Sequence, residues 1–162
     1  MNPTTADEAH RVLDARGATV ATAESLTGGL IGAALTGVAG SSSTFRGAVV
    51  AYATGVKAAL LEVPPALLAE HGAVHPDVAR YMAEGVRRVL GTTYGVAVTG
   101  VAGPEPQDGM PVGTVYAAVA GPGAPTTVAE FALSGTRGEI REQTVEQALR
   151  LLVADVARTT PK

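Results

Sequence analysis

The chain has 162 residues, 46% apolar and 17% charged, with a formal net charge of −3 and no cysteine. That length suits one domain with room for a hydrophobic core, and the apolar share argues against disorder. The missing cysteines exclude disulfides, thiolate-held zinc and a cysteine nucleophile.

Slight acidity without any run of Lys or Arg argues against nucleic acid as a main partner. No stretch reaches the roughly 18 apolar residues of a membrane span. The polar opening MNPTTADEAHRVLDARG does not read as a signal peptide, so a cytoplasmic protein with no membrane contact is expected.

In chain order, residues 4–16 carry Thr and Asp start signals, apolar Ala9, Val12 and Leu13 at helical spacing, and a stop at Gly17. ATVATA (18–23) is a short β-rich run, followed by ESLTGG and the small-residue helix LIGAALTGV (30–38). GAVVAYA (47–53) reads as a buried strand and GVKAALLEV (55–63) as a short helix. Pro64-Pro65 opens another helix through PALLAEHG, and Pro76 a third through Leu90. YGVAVTG (94–100) is a second buried strand, and VAGPEPQDGMP (101–111) is a Gly/Pro loop. VGTVYAAVA (112–120) and TTVAEFAL (126–133) pair as a hairpin across GPGAP. A last helix runs from Arg137 to about Ala157, and TTPK (159–162) is expected to fray. About five strands with helices before, between and after them predict one α/β domain, a mixed sheet covered on both faces.

Two loops follow strands where ligands of α/β sheets collect. In AESLTGG (23–29), Gly28 and Gly29 would let an anion approach free backbone N–H groups, unless Ser25 or Thr27 simply caps the helix. TGVAGPEP (99–106) repeats the arrangement, as a substrate loop or as an ordinary turn. GSSSTF (40–45) sets Ser41, Ser42 and Ser43 after Gly40, and a serine nucleophile needs a base. His10, His71 and His75 lack a serine-and-carboxylate pattern that would make a triad. Lys57, one of two lysines, follows an apolar strand; desolvation there would favour the neutral amine. The residues alone leave Ser42 and Lys57 about 20 Å of strand apart unless the loop folds back. PEPQD (104–108) lacks a second carboxylate cluster, so no metal site is expected. Glu139, Arg141, Glu142 and Glu146 read as a solvated helix face, whereas Arg137 at a helix start could meet a phosphate or carboxylate.

Five segments stand in the order and spacing of one family: ATAESLTGG, GSSSTFRGAVVAYATGVK, HGAV, VTGVAGP and PVGTVY. The chain resembles the nicotinamide mononucleotide amidases, whose domain is also the C-terminal part of the competence/damage-inducible protein A. The resemblance spans residues 6 to 157 and implies a three-layer α/β/α domain around a mixed five-stranded sheet. It further implies hydrolysis of the carboxamide of nicotinamide mononucleotide to nicotinic acid mononucleotide and ammonia, by a serine and a lysine, without cofactor or metal. On that match the nucleophile falls on Ser42 and the base on Lys57, with Tyr52 positioning or shuttling a proton. Ser25, Thr27 and Gly28 would bind substrate from the first loop, Gly40 and Ser41 from the serine run. Thr99, Gly100 and Gly103 would do so from the second loop, and Arg137 would hold the phosphate. Backbone N–H groups of the glycine-serine loop are the expected oxyanion donors. The chain departs from the pattern at Leu26, at Ala53-Thr54, at His75 and through residues 104–110, where Met110 replaces a frequent lysine. A homodimer is expected. The alternatives are an amidase for another amide and a catalytically weak nucleotide- or partner-binding module.

Overall fold

The computed structural model describes residues 2–159; the remainder of the expected frayed tail lies outside the described residues. Eleven principal elements follow one another: α1 (Thr5–Asp14), β1 (Val20–Glu24), α2 (Leu30–Thr36), β2 (Phe45–Val50), α3 (Thr54–Leu61), α4 (Pro65–His71), α5 (Pro76–Leu90), β3 (Tyr94–Gly100), β4 (Thr114–Ala120), β5 (Thr127–Ala132) and α6 (Arg137–Arg158). A short 3-10 turn covers Ser41–Ser43.

The strands form one mixed sheet in the order β2-β1-β3-β4-β5. β1 runs parallel to β2 and β3, whereas β4 and β5 add as an antiparallel meander. Alternation along β3 divides the core. Val96 and Val98 point to the face covered by Leu13, Ile31, Leu149 and Leu152 of α1, α2 and α6. Ala97 points to the other face, beneath Leu61, Val78, Met82 and Val86 of α3 and α5. This is the expected three-layer α/β/α arrangement. The alanine-rich face lets α5 approach the sheet closely. A Cβ on Gly95 of β3 would lie 2.2 Å from the Ala83 carbonyl oxygen of α5, so only glycine fits there.

The parallel β1, β2 and β3 end on one edge of the sheet, and β2 and β3 flank β1. Residues 25–29, 51–53 and 101–113 therefore emerge side by side. One boundary differs from the sequence expectation in a way that matters. The second strand begins at Phe45 and stops at Val50 rather than continuing to Ala53. Ala51 keeps one bond to the sheet, its N–H donating to the Glu24 carbonyl at 2.8 Å. Beyond it the chain turns, and the carbonyls of Ala51 and Tyr52 face a side chain of α3 instead of a strand. Among the described residues no helix is long and apolar enough to cross a membrane.

Candidate active site

That side chain is Lys57. It shares the buried side of α3 with Leu61, one turn further on, and is 1% exposed. Its Nζ lies 2.9 Å from Ser25 Oγ, 2.7 Å from the Ala51 carbonyl oxygen and 3.2 Å from that of Tyr52. Burial lowers the Lys57 pKa from 10.5 to about 8, while the Asp108 carboxylate pulls it back up. The geometry suits both protonation states. An ammonium donates all three protons, to the two carbonyls and to Oγ. A neutral amine keeps its two protons on the carbonyls and turns its lone pair to the Ser25 hydroxyl, which then donates to it.

Ser25 is held at the end of β1 by two residues that sequence reasoning passed over. Glu24 is fully buried: Oε1 accepts from the N–H groups of Gly29 (3.1 Å) and Ile31 (2.9 Å), and Oε2 from Gly32 N–H (2.9 Å) and the Thr22 hydroxyl (3.1 Å). The start of α2 is thus already capped by the chain's own carboxylate. This corrects both readings of AESLTGG, as an external anion site and as a Ser25 or Thr27 cap. The available signal was an acidic residue closing an apolar strand just ahead of a helix start. Arg141 binds the same loop from behind, donating to the carbonyls of Leu26 (2.8 Å) and Thr27 (3.4 Å). It does not belong to a solvated face; its spacing of one turn from Arg137 on α6 carried that information.

Ser25 opens into a cavity of about 310 Å³ lined also by Leu26, Tyr52, residues 100–107 and Arg137. Arg137, the first residue of α6, donates to the Gly103 carbonyl and, at 3.4 Å, to the hydroxyl of the exposed Tyr52. Its guanidinium thus links the loop after β3 to the turn after β2 at the cavity mouth. Gly100 and Gly103 line the cavity, but the Thr99 hydroxyl is buried and donates to the Ala73 carbonyl at 2.7 Å. Ala73 N–H in turn donates to Asp108 at 2.9 Å, so Thr99 and Asp108 fasten the α4–α5 connection to the site. Gly28 sits at φ 57°, on the Arg141 side of the first loop. The Thr27 hydroxyl is fully buried and meets no partner among the described residues.

Gly40, Ser41 and Ser42 lie elsewhere. They precede β2, and Phe45 at its start pairs with Val20 at the start of parallel β1, whereas Ser25 follows the end of β1. About 20 Å of strand therefore separates Ser42 from Lys57. Ser42 is exposed and its carbonyl accepts from Arg46 at 2.9 Å, while Ser43 Oγ donates to Asp14 of α1 at 3.0 Å. The expected pairing of Ser42 with Lys57 does not form within the chain, and backbone groups of the serine run are not near the lysine. The loop does not fold back because residues 45–50 are committed to the sheet. Ser25 occupies the position beside the amine. Among the described residues no group of three His, Asp or Glu side chains could hold a metal ion.

A three-layer α/β/α domain with a buried serine–lysine contact at the carboxyl edge of its parallel strands is the class that fold and site define. The CinA C-terminal domain model matches residues 2–156, and the chain belongs to that family. It is 52% identical over 137 residues to a CinA-like protein of Frankia casuarinae, covering 85% of this chain and 31% of that protein. It is 49% identical over 139 residues to a CinA-like protein of Myxococcus xanthus, covering 84% and 32%. The chain spans about a third of the length of these curated relatives. Among solved structures it is similar to the competence/damage inducible protein CihA of Agrobacterium tumefaciens, with TM-score 0.88, 36% identity and 98% and 100% of the two chains covered. It is likewise similar to the competence damage-inducible protein A (ComA) of Klebsiella pneumoniae, with TM-score 0.91, 32% identity and the same coverage.

Proposed function

We propose that the chain is a serine amidohydrolase that deamidates nicotinamide mononucleotide, with Ser25 as nucleophile and Lys57 as general base. The observation that carries this reading is the 2.9 Å contact between Ser25 Oγ and a buried amine whose other two protons have carbonyl acceptors. A serine hydroxyl is nearly unreactive at neutral pH without a base, and an amine with a pKa near 8 supplies one. The substrate comes from the family resemblance. A cavity of about 310 Å³ with a guanidinium at its mouth suits a small anionic nucleotide.

In this mechanism neutral Lys57 takes the Ser25 proton as Oγ bonds to the carboxamide carbon, whose π electrons move onto oxygen. The tetrahedral adduct collapses, the C–N bond breaks, and the Lys57 ammonium passes its proton to the nitrogen, which leaves as ammonia. Lys57 then accepts a proton from water as water attacks the ester. It returns that proton to Oγ as nicotinic acid mononucleotide departs. Arg137 binds the phosphate, and Tyr52, oriented by Arg137, closes the cavity mouth.

The test is ammonia release from nicotinamide mononucleotide by the purified chain, with nicotinic acid mononucleotide identified by chromatography. Turnover supports the reading. Thermal stabilisation by the nucleotide without turnover favours a binding module. Ammonia from other amides alone points to a related amidase.

A further inference from the structure

Several backbone N–H groups of buried residues around Ser25 meet no acceptor among the described residues: those of Leu26 and Thr27 on its own loop, and an adjacent pair past the end of β3. Past the end of β3, Val101 still pairs on both sides: its N–H donates to Thr114 (2.9 Å) and its carbonyl accepts from Gly113 (2.8 Å). The next two residues, Ala102 and Gly103, are buried. Neither of their N–H groups meets an acceptor among the described residues. Buried peptide donors without partners are rare in folded proteins, because each forfeits its hydrogen bond to water. Both residues line the cavity together with Ser25, and neither carries a polar side chain.

Three further features bear on their direction. Gly103 stands at φ 86° while Ala102 is not among the positive-φ residues. A change of sign between neighbours is one feature of the turns that gather consecutive N–H groups into anion-receiving concavities. The stretch is also anchored at both ends, by the Val101 pairing and by the Arg137 guanidinium on the Gly103 carbonyl. The two donors are therefore fixed before substrate arrives. Finally, a Cβ on Gly103 would come within 2.7 Å of Val112, which excludes a side chain from this turn.

We infer that the N–H groups of Ala102 and Gly103 form the oxyanion hole that receives the oxygen of the tetrahedral adduct opposite Ser25. The assignment rests on Ser25 being the nucleophile. It replaces the glycine-serine loop, which lies at the other edge of the sheet. As Oγ bonds to the carbon, negative charge grows on the former carbonyl oxygen, and two oriented donors stabilise it most at that moment.

The test uses a fluorophosphonate, whose fluoride Ser25 Oγ displaces to leave a phosphonate ester with its oxygen held where the oxyanion would sit. Uniformly labelled protein is followed by amide resonances before and after modification, with the site of attachment read by mass spectrometry. The expected result is that the Ala102 and Gly103 amide protons undergo the largest downfield shifts outside the Ser25 loop itself. Unmoved Ala102 and Gly103 resonances in protein labelled on Ser25 overturn the assignment, and so does failure of Ser25 to label. A second measurement replaces the Val101–Ala102 amide by an ester, with lactate in place of Ala102. Phosphonylation is expected to slow on the order of 10-fold to 10²-fold, with a small fall in melting temperature from the weaker Val101 ester carbonyl; an unchanged rate contradicts the proposal. Because the probe is not a nucleotide, shifts seen without turnover of nicotinamide mononucleotide would reject that substrate and leave the oxyanion hole standing.

Discussion

Ser25 and Lys57 come from different connections, one following β1 and the other within the helix that follows β2, yet Oγ and Nζ lie 2.9 Å apart with both residues buried. Parallel strands with carboxyl ends on one edge make that meeting possible. The same geometry excludes Ser42, which enters at the opposite edge.

The first consequence is a pH dependence. Only neutral Lys57 can accept the Ser25 proton, and burial sets its pKa at about 8. kcat/KM should rise tenfold per pH unit on the acid side and level off above about pH 8. Asp108 raises that pKa, so Asp108→Asn should move the acid limb to lower pH. A profile flat from pH 6 to 9 would count against a lysine base.

Stability should carry the same signature. The unfolded chain keeps the Lys57 proton up to about pH 10.5, whereas the folded chain releases it near 8. Between those values the unfolded state binds more protons, so unfolding free energy rises with pH across that window. Relative to a Lys57→Met variant, the wild type should gain on the order of 2–3 kcal/mol from pH 8 to 10.5 in denaturant titrations.

Glu24 governs the loop rather than the chemistry. Its carboxylate accepts three backbone N–H groups and one hydroxyl. Glu24→Ala leaves those donors buried without partners, and should cost about 3 kcal/mol or more in chemical denaturation. Turnover in the remaining folded protein should fall by at least tenfold.

Arg137 should act on binding. Arg137→Ala is expected to raise KM for nicotinamide mononucleotide about tenfold or more, the loss of a charge-assisted contact. Turnover of nicotinamide riboside, which lacks the phosphate, should change little. Equal losses on both compounds would instead mark Arg137 as a support for Tyr52 and Gly103.

Much of the fold was legible because hydrophobic period and punctuation agreed. Pro76 and Leu90 bound α5 as the sequence predicts, and β3 runs from Tyr94 to Gly100. A mixed sheet covered on both faces followed from the alternation of strands and helices, and the three layers from the family resemblance. The site was read less well, for a physical reason. Which serine meets Lys57 depends on strand direction and order, and neither is written in the spacing between residues 42 and 57. Ser25 is more than thirty residues from Lys57 in sequence, but β1 lies beside β2 in the sheet. Glu24 and Arg141 escaped because a charged side chain reads as solvated until burial and its partners are known.

The most direct test of the account sets Ser25→Ala beside Ser42→Ala and Lys57→Ala in ammonia release from nicotinamide mononucleotide, with folding checked by thermal melting. Loss of at least about 10³-fold is expected for Ser25→Ala and Lys57→Ala, since removing either dyad member disables the unit. Ser42→Ala should stay within a few-fold of wild type. An inactive Ser42→Ala beside an active Ser25→Ala, both folded, would contradict it.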